Sequence, residues 1–264
     1  WTMAPNSPNE GSPPQRPRGL STGTFASLSN RNVRLLFMGT LFTSAGNWIQ
    51  MVTLGFVAYE MTKNPLVVGT LLGSRAIPWL VVGPFAGVFI DRMDRKRVLL
   101  MSQLLRISIA LALGPIMLFD MLAVWHLYVY IILNGVGWVL DNPTRSAIAA
   151  NSVPKESYQN ALALIQLGFG LGRIVIPIVG GIIISTTDNS SINIFLQAGF
   201  YSVVLVTFTG IRLEQPIQAK KERTSPRKDF VDGLKYVSKQ PVTLGLIFMG
   251  LIPSFFIRPF EDNM

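Results

Sequence analysis

Long apolar segments alternate with short polar ones between residues 35 and 211 of the chain. A bilayer core of about 30 Å is crossed by about 20 helical residues, and helices of soluble proteins rarely stay apolar on every side over that length. The pattern therefore predicts an all-α membrane protein with six spans, most of them joined by connections so short that neighbouring spans must be antiparallel. The predicted spans are Leu35–Tyr59, Leu66–Ile90, Val98–Phe119, Val124–Ala149, Tyr158–Ile184 and Ile192–Ile211.

The segments outside these spans are polar or amphipathic. Residues 1–24 are rich in Pro, Ser, Gly and Asn, which predicts a disordered cytoplasmic tail and not a signal peptide. Residues 212–241 combine basic residues with apolar positions at helical spacing, which predicts a linker with an amphipathic helix at the membrane interface; a helix that binds a soluble partner is the alternative. The six predicted spans place a six-helix bundle at 25–211. An apolar run in 242–264 predicts the start of a second bundle, truncated in its first helix.

The distribution of charge predicts the orientation. Hydrophobic residues form 49% of the chain and charged residues 14%, yet the formal net charge is +9. In a soluble protein this excess would favour nucleic acid as a partner, but in membrane proteins Lys and Arg are retained on the cytoplasmic side. Of the 23 basic residues, 18 lie in segments on the side of the amino terminus, Lys63 alone lies on the opposite side, and four lie within spans. We therefore predict a cytoplasmic amino terminus, and a lipid bilayer rather than nucleic acid as the surroundings.

Composition also narrows the class of function. The chain has no cysteine and one histidine, His126, so it offers neither a disulfide framework nor the ligand cluster of a metal site, and we expect no cofactor. A membrane enzyme would need a catalytic constellation near the interface, such as a metal cluster or a phosphate-binding loop. A channel would carry rings of pore-lining charge. The sequence shows neither pattern, which favours a transporter over an enzyme or a channel.

A dense group of charges lies between the second and third spans, in the sequence GVFIDRMDRK at residues 87–96. A small residue at Gly87 lets two helices approach closely, Asp91 can bind the end of a neighbouring helix, and Arg95 can form bidentate hydrogen bonds across the cytoplasmic face. The alternative is a solvated loop whose charge only sets the orientation. The predicted gating residues are Gly87, Asp91, Arg92, Arg95 and Lys96.

This segment resembles the signature loop of the major facilitator superfamily, with Asp94 at the position of the second glycine of that loop. The stretches NRNVRLLF at 30–37, DNPTRSA at 141–147 and GRIVIPIVGG at 172–181 resemble the enterobactin-exporter and macrolide-efflux branch of the superfamily. The resemblance implies two six-helix bundles, each built of inverted three-helix repeats, with alternating access to the two sides of the membrane.

The same resemblance implies a function. It implies a secondary transporter of the bacterial inner membrane that exports a small organic molecule, drug-like or siderophore-like, in exchange for protons. The alternative is a superfamily member that moves a lysophospholipid or takes up a nutrient. The implied partners are the small-molecule substrate, protons as the coupling ion, the bilayer and a second six-helix bundle. The fourth-span arginine associated with proton transfer in many drug exporters would fall at Ile131, so coupling through that position is not supported.

Arginines within spans are candidate cavity residues, because an arginine at mid-bilayer costs at least about 2.5 kcal/mol unless it meets a partner or water. Arg75 and Arg173 lie well inside the second and fifth spans, each with a glycine shortly before it and a proline shortly after it. Since these spans run in opposite directions, as inverted repeats would, we predict that both arginines line the cavity. Snorkelling or structural pairing of each arginine is the alternative.

Polar residues of the fourth and first spans complete the predicted cavity. Asn134, Trp138, Asp141 and Arg145 are spaced by four, three and four, which places them on one face of a helix. Asp141 is a candidate proton relay, and a pair with Arg145 that stabilises the inner end of the helix is the equally compatible alternative. The first span adds two polar residues at mid-membrane, Asn47 and Gln50.

The fifth span contains small residues that predict close helix packing. Glycines leave room for a neighbouring backbone, and an interface made of small residues can also slide as a cavity changes sides. The predicted packing residues are Gly168, Gly172, Pro177, Gly180 and Gly181.

Overall fold

A computed structural model describes residues 26–187 and 189–212 of the chain. The predicted tail, the predicted linker and the predicted start of a second bundle lie outside the described residues. Within that range the chain forms eight α-helices and two short 3-10 turns, and no strand. The helices are α1 (Arg31–Thr62), α2 (Pro65–Gly73), α3 (Ala76–Val81), α4 (Gly83–Arg92), α5 (Arg95–Leu118), α6 (Val124–Ser152), α7 (Tyr158–Thr187) and α8 (Ser191–Thr209), and the turns are Ala26–Ser29 and Lys155–Ser157.

Polar side chains cap the amino-terminal ends of several helices. The Asn30 side chain accepts from two backbone N–H groups of the first turn of α1, and Asn64 accepts from one in α2, where Pro65 occupies the first turn. Lys63, between α1 and α2, takes a left-handed conformation that ends α1. Asp94 caps α5 by accepting from Lys96 N and Arg97 N. The residue that replaces a glycine in the signature-like loop therefore starts the third span.

The second predicted span, Leu66–Ile90, is not a continuous helix but the broken run α2, α3 and α4. Proline has no N–H group, so Pro78 cannot donate to the carbonyl of Ser74, and Pro84 cannot donate to that of Leu80. The helical ladder is interrupted at these two points, and the chain continues through turns with near-helical backbone angles at Ser74 and Val82. The first break places Arg75 between two helices.

The long helices pack into one bundle with α1 and α5 as its interior partners. Helix α1 packs against α7 and α8, while α5 packs against α6 and α8, and α3 contacts α6. Glycines permit the closest crossings, because Gly46 of α1 lies under the ring of Tyr201 and Gly114 of α5 lies under the ring of Phe195, so that a larger residue at either position would meet the ring.

The interior has a polar layer between two apolar clusters. One cluster, around Leu54, Leu113 and Leu127, lies toward the α1–α2 turn, and the other, around Leu36 and Ile148, lies toward the opposite end of the bundle. On α1, α5, α6 and α8 the residues between these clusters include buried polar side chains. We call them the polar layer: Thr40, Thr43, Gln50, Gln103, Arg106, Asn134, Asp141, Arg145 and Gln197.

The outside of the bundle is apolar. Four helical segments among the described residues are long and apolar enough to cross a membrane: α5, α6, Lys155–Thr187 and α8. Helix α1 is also long enough to cross a membrane, with 32 residues, and it carries several buried polar side chains. Large hydrophobic side chains such as Leu80, Ile174 and Val206 are exposed on the surface, which suits contact with lipid and a multi-pass membrane protein.

Candidate functional site

A cavity of about 60 Å³ lies between α1, the broken second span and α6. Asn47, Gln50 and Asn134 make part of its wall polar. Leu72, Trp79 and Ile131 make another part apolar. The structure brings together five of the seven residues predicted to line a cavity. The lining residues are Asn47, Gln50, Met51, Leu72, Arg75, Trp79, Ile131, Asn134, Gly135 and Trp138.

Arg75 reaches this cavity from the break between α2 and α3. Its side chain is exposed, and its Nη1 lies 3.5 Å from the sulfur of Met51, a weak acceptor. Among the described residues no carboxylate forms an ion pair with Arg75. The helix break thus presents an arginine with free hydrogen-bonding capacity to the cavity.

Arg173 and Asp141, the other two predicted cavity residues, do not line it. The guanidinium of Arg173 lies 5.4 Å from the ring centre of Trp48, next to Asn47 in sequence. Successive residues of a helix point about 100° apart, so Asn47 faces the cavity while Trp48 and its cation partner lie on another side of α1. The structure therefore shows Arg75 and Arg173 in different surroundings.

Asp141 is buried in an ion pair with Arg145. Arg145 Nη2 lies 2.6 Å from Asp141 Oδ2, both side chains are inaccessible to solvent, and Gln103 Nε2 donates to Asp141 Oδ1 at 3.1 Å. The Arg145 guanidinium also donates to the hydroxyl oxygens of Thr40 and Thr43 at 2.7 and 3.0 Å. Each threonine hydroxyl donates in turn to a carbonyl of α1. The pair therefore ties α6 to α1 and α5 inside the polar layer.

Arg106 of α5 is the functional candidate that the sequence analysis missed. Its side chain is fully buried, and its guanidinium lies 5.4 Å from the ring centre of Trp138 and 5.2 Å from that of Tyr201. None of its three guanidinium nitrogens has a hydrogen-bond partner among the described residues. The absence of a side chain at Gly137 leaves room for Arg106 Nε, because a Cβ on Gly137 would lie 2.9 Å from that nitrogen. A charge within a span is as costly at Arg106 as at Arg75 and Arg173, so the sequence contained the signal for this residue too.

A hydrogen-bonded network joins the cavity wall to the neighbourhood of Arg106. Gln197 Nε2 donates to Gln50 Oε1 at 2.7 Å and to the Tyr201 hydroxyl at 3.1 Å. The Tyr130 hydroxyl donates to Gln197 Oε1 at 2.5 Å. Only Gln50 of this network was predicted, because single polar residues within an apolar span give no signal of the partners that they meet across helices.

The basic residues of the predicted gating segment contact the ends of other helices. Lys96 Nζ donates to the carbonyl oxygens of Thr209 and Ile211 at 2.7 and 2.8 Å, which satisfies the exposed end of α8. Arg95 Nη1 lies 3.4 Å from the carbonyl oxygen of Ala147 in α6. The side chains of Asp91 and Arg92 lie outside what the structure describes.

The predicted packing residues fall into two groups. Gly168, Gly172 and Gly180 face α1, where Cβ atoms would meet Thr40, Ser44 and Ile49 respectively, and Ser44 Oγ donates to the Phe169 carbonyl at 2.7 Å. In the described part of the chain nothing lies within 4 Å of a Cβ placed at Gly181 or at Gly87. Pro177 lies within α7 and is half-buried.

Comparison with protein families and known proteins gives a consistent result. A family model described as a transmembrane secretion effector matches residues 22–252. An uncharacterized MFS-type transporter, YfiS of Bacillus subtilis (strain 168), is 23% identical over 234 residues, which cover 87% of this chain and 55% of that protein. The multidrug efflux pump Tap of Mycolicibacterium fortuitum is 24% identical over 238 residues, covering 86% and 57%. Macrolide efflux protein A of Streptococcus pyogenes is 22% identical over 225 residues, covering 83% and 54%.

Solved structures show the same fold. The peptide transporter POT in complex with sulfate superposes with a TM-score of 0.62 at 18% identity, over 86% of this chain and 47% of that one. The predicted fold class, a six-helix bundle of the major facilitator type, is thereby confirmed. The chain spans about half the length of the curated relatives that it matches.

Proposed function

Since the chain belongs to the transmembrane secretion effector family of the major facilitator superfamily, we propose that it supplies one of the two helix bundles of a transporter that exports a small organic molecule. The observation that carries the proposal is the cavity between α1, the broken second span and α6. Arg75 lies in its wall and forms no ion pair with any described residue. Two of the relatives are named as efflux pumps or proteins for drugs and macrolides, which favours export over uptake.

In this proposal the cavity of the bundle forms one side of the substrate site. Asn47, Gln50 and Asn134 offer both donors and acceptors, and Trp79 and Trp138 offer flat apolar surface, a combination typical of sites for amphipathic ligands. A second bundle would close the other side. Alternating access then follows if the two bundles rock against each other around the site.

The gating segment would stabilise the inner end of the bundle. Lys96 and Arg95 connect the start of α5 to the end of α8 and to the last turns of α6. We propose Gly87, Asp91 and Arg92, at the end of the broken second span, as the residues that contact the second bundle when the inner side is closed. The charge distribution supports a cytoplasmic location for this end and for the amino terminus. We propose a bacterial inner membrane because the relatives are bacterial transporters.

Proton coupling has one candidate within this bundle. Asp141 is the acid of the polar layer, and its ion pair with Arg145 joins α6 to α1 and α5. Protonation of Asp141 would remove the charge that Arg145 pairs with, and would thereby loosen that connection and shift the balance between conformations. The proposed exchange of substrate for protons rests on this pair.

A transport assay tests the function directly. Inverted membrane vesicles that carry the transporter with both bundles are energised with a proton gradient, and uptake of ethidium is followed by fluorescence. We expect uptake that stops when a protonophore is added, that falls severalfold in Trp79→Ala, which removes an aromatic ring from the cavity wall, and that is unchanged in Arg34→Gln, whose side chain is exposed near the start of α1. Gradient-driven accumulation only in right-side-out vesicles would support nutrient uptake instead. Accumulation in neither orientation for ethidium and a panel of macrolides would contradict the proposal.

A further inference from the structure

Among the described residues, Arg106 has the most buried side-chain nitrogens without a hydrogen-bond partner. A guanidinium has five N–H donors and stays charged at any physiological pH, and a buried charge is destabilising unless it is paired and hydrogen-bonded. Arg106 is fully buried in α5, and its three nitrogens have no acceptor among the described residues. Stacking between Trp138 and Tyr201 compensates the positive charge in part, but it leaves the donors in the plane of the guanidinium free.

The charges of the polar layer do not balance. Two arginines, Arg106 and Arg145, share that layer with one acid, Asp141. Both oxygens of Asp141 are already engaged, Oδ2 by Arg145 and Oδ1 by Gln103. The other acids of the described segments lie at helix ends or in turns. The layer therefore has one excess positive charge, and it is located at Arg106.

Only the cavity wall separates Arg106 from the cavity. Trp138 lines the cavity and also stacks on the Arg106 guanidinium. Gln50 lines the cavity and is linked through Gln197 to Tyr201, the ring next to Arg106. A rotation of the Trp138 side chain would thus expose the arginine to whatever occupies the cavity.

A second unpaired donor lies on the same wall. Asn134, one helical turn before Trp138, lines the cavity, and its buried Nδ2 has no hydrogen-bond partner among the described residues. Arg106 and Asn134 together offer a planar fork of donors and a further amide donor, with aromatic surface beside them. None of the described residues that line the cavity is acidic.

We propose that Arg106, reached past Trp138, forms an anion-binding subsite of the cavity that takes the carboxylate of an amphipathic organic anion. The inference rests on the proposed function in that it names the substrate class of the same cavity. A planar carboxylate accepts two parallel hydrogen bonds from a guanidinium, which a rounder anion or a neutral amide cannot match. The apolar part of the substrate lies against Trp79 and Trp138, and Arg75 attracts the anion to the cavity mouth.

Binding of matched probes to the transporter with both bundles in lipid nanodiscs tests the subsite. Phenylacetate, its neutral analogue phenylacetamide, the cation phenethylamine and inorganic phosphate are compared by equilibrium binding. We expect phenylacetate to bind at least about tenfold more tightly than phenylacetamide, as one charge-assisted bidentate contact provides. Arg106→Gln abolishes this preference, Arg106→Lys weakens it because the fork is lost, and the control Arg34→Gln leaves it intact.

Thermal stability separates a binding role from a structural one. If Arg106 is held for a ligand, then Arg106→Met, which fills the site with an apolar side chain, raises the melting temperature of the unliganded protein and removes the stabilisation by phenylacetate. If Arg106 instead holds the bundle together, Arg106→Met lowers the melting temperature and phenylacetate stabilises neither protein.

The outcomes distinguish this inference from the proposed function. Absence of an anion preference in the wild-type chain, equal affinity in Arg106→Gln, or a preference for phosphate over phenylacetate would overturn the carboxylate subsite, even if ethidium is exported. Conversely, an Arg106-dependent preference for phenylacetate together with no export in vesicles would uphold the subsite and contradict the exporter.

Discussion

At the scale of single residues, the polar layer separates charges that are satisfied from one that is not. Asp141 and the two terminal nitrogens of Arg145 have hydrogen-bond partners within 3.1 Å, and these contacts join three helices; Arg145 Nε has no partner among the described residues. The Arg106 guanidinium, in the same layer, lies next to the rings of Trp138 and Tyr201 but has no hydrogen-bond acceptor among the described residues. Buried pairs of the first kind stabilise a particular arrangement of helices, whereas an unpaired charge is kept at the expense of stability and points to a ligand.

The first prediction concerns the buried ion pair. Asp141→Asn leaves the Arg145 charge without its counter-ion, so we expect the free energy of unfolding to fall by about 3 to 5 kcal/mol. Removal of both charges in Asp141→Asn/Arg145→Gln recovers most of this loss, because no unpaired charge remains. Thermal unfolding in detergent of the two variants and the wild type measures the effect. A single variant as stable as the wild type would show that the pair does not hold the helices together.

At the scale of elements, the α1–α7 contact depends on glycines at spacings of four and eight along α7. Gly168, Gly172 and Gly180 all face α1, and at Gly172 the Ser44 side chain fills the space where a Cβ would be. Gly181 is adjacent to this row but points away from every described neighbour. The row fixes how closely α7 approaches α1, and therefore how α1 presents Asn47 and Gln50 to the cavity.

The second prediction compares Gly172 and Gly181 as a matched pair. Gly172→Val inserts a branched side chain against α1, and such overpacking is expected to lower the free energy of unfolding by about 1 to 3 kcal/mol. Gly181→Val, on the open face of the same helix, is expected to have little effect. Melting temperatures of both variants in nanodiscs provide the measurement. Equal losses in the two variants would mean that helix propensity, not packing against α1, decides their stability.

At the scale of the whole molecule, the sequence predicts the number and order of the spans because apolar length is a property of the chain itself. The broken second span was predictable in principle from Pro78 and Pro84, but an apolar pattern contains no information on lost hydrogen bonds. Arg75 and Arg106 look alike in the sequence, each a charge in an apolar run. Only the packed structure reveals that Arg75 faces the cavity, whereas Arg106 lies behind Trp138 with no hydrogen-bond acceptor among the described residues.

The third prediction tests the orientation of the bundle. The chain has no cysteine, so an introduced thiol is the only one in these 264 residues. Lys63, in the α1–α2 turn, and Lys155, before α7, are exposed at opposite ends of the bundle. We expect an impermeant maleimide to label Lys63→Cys in intact cells and Lys155→Cys only after permeabilisation. The reverse pattern would overturn the predicted cytoplasmic amino terminus.

The central claim is that the cavity between α1, the broken second span and α6 is a water-accessible substrate site, and labelling of Asn47→Cys tests it most directly. The impermeant maleimide is added to right-side-out and to inverted vesicles that carry the transporter with both bundles, with and without ethidium. We expect Asn47→Cys to react from both sides and ethidium to slow the reaction, while Ile174→Cys, on the apolar outer surface of α7, stays unlabelled. An Asn47→Cys that is as unreactive as Ile174→Cys in both preparations would contradict the account.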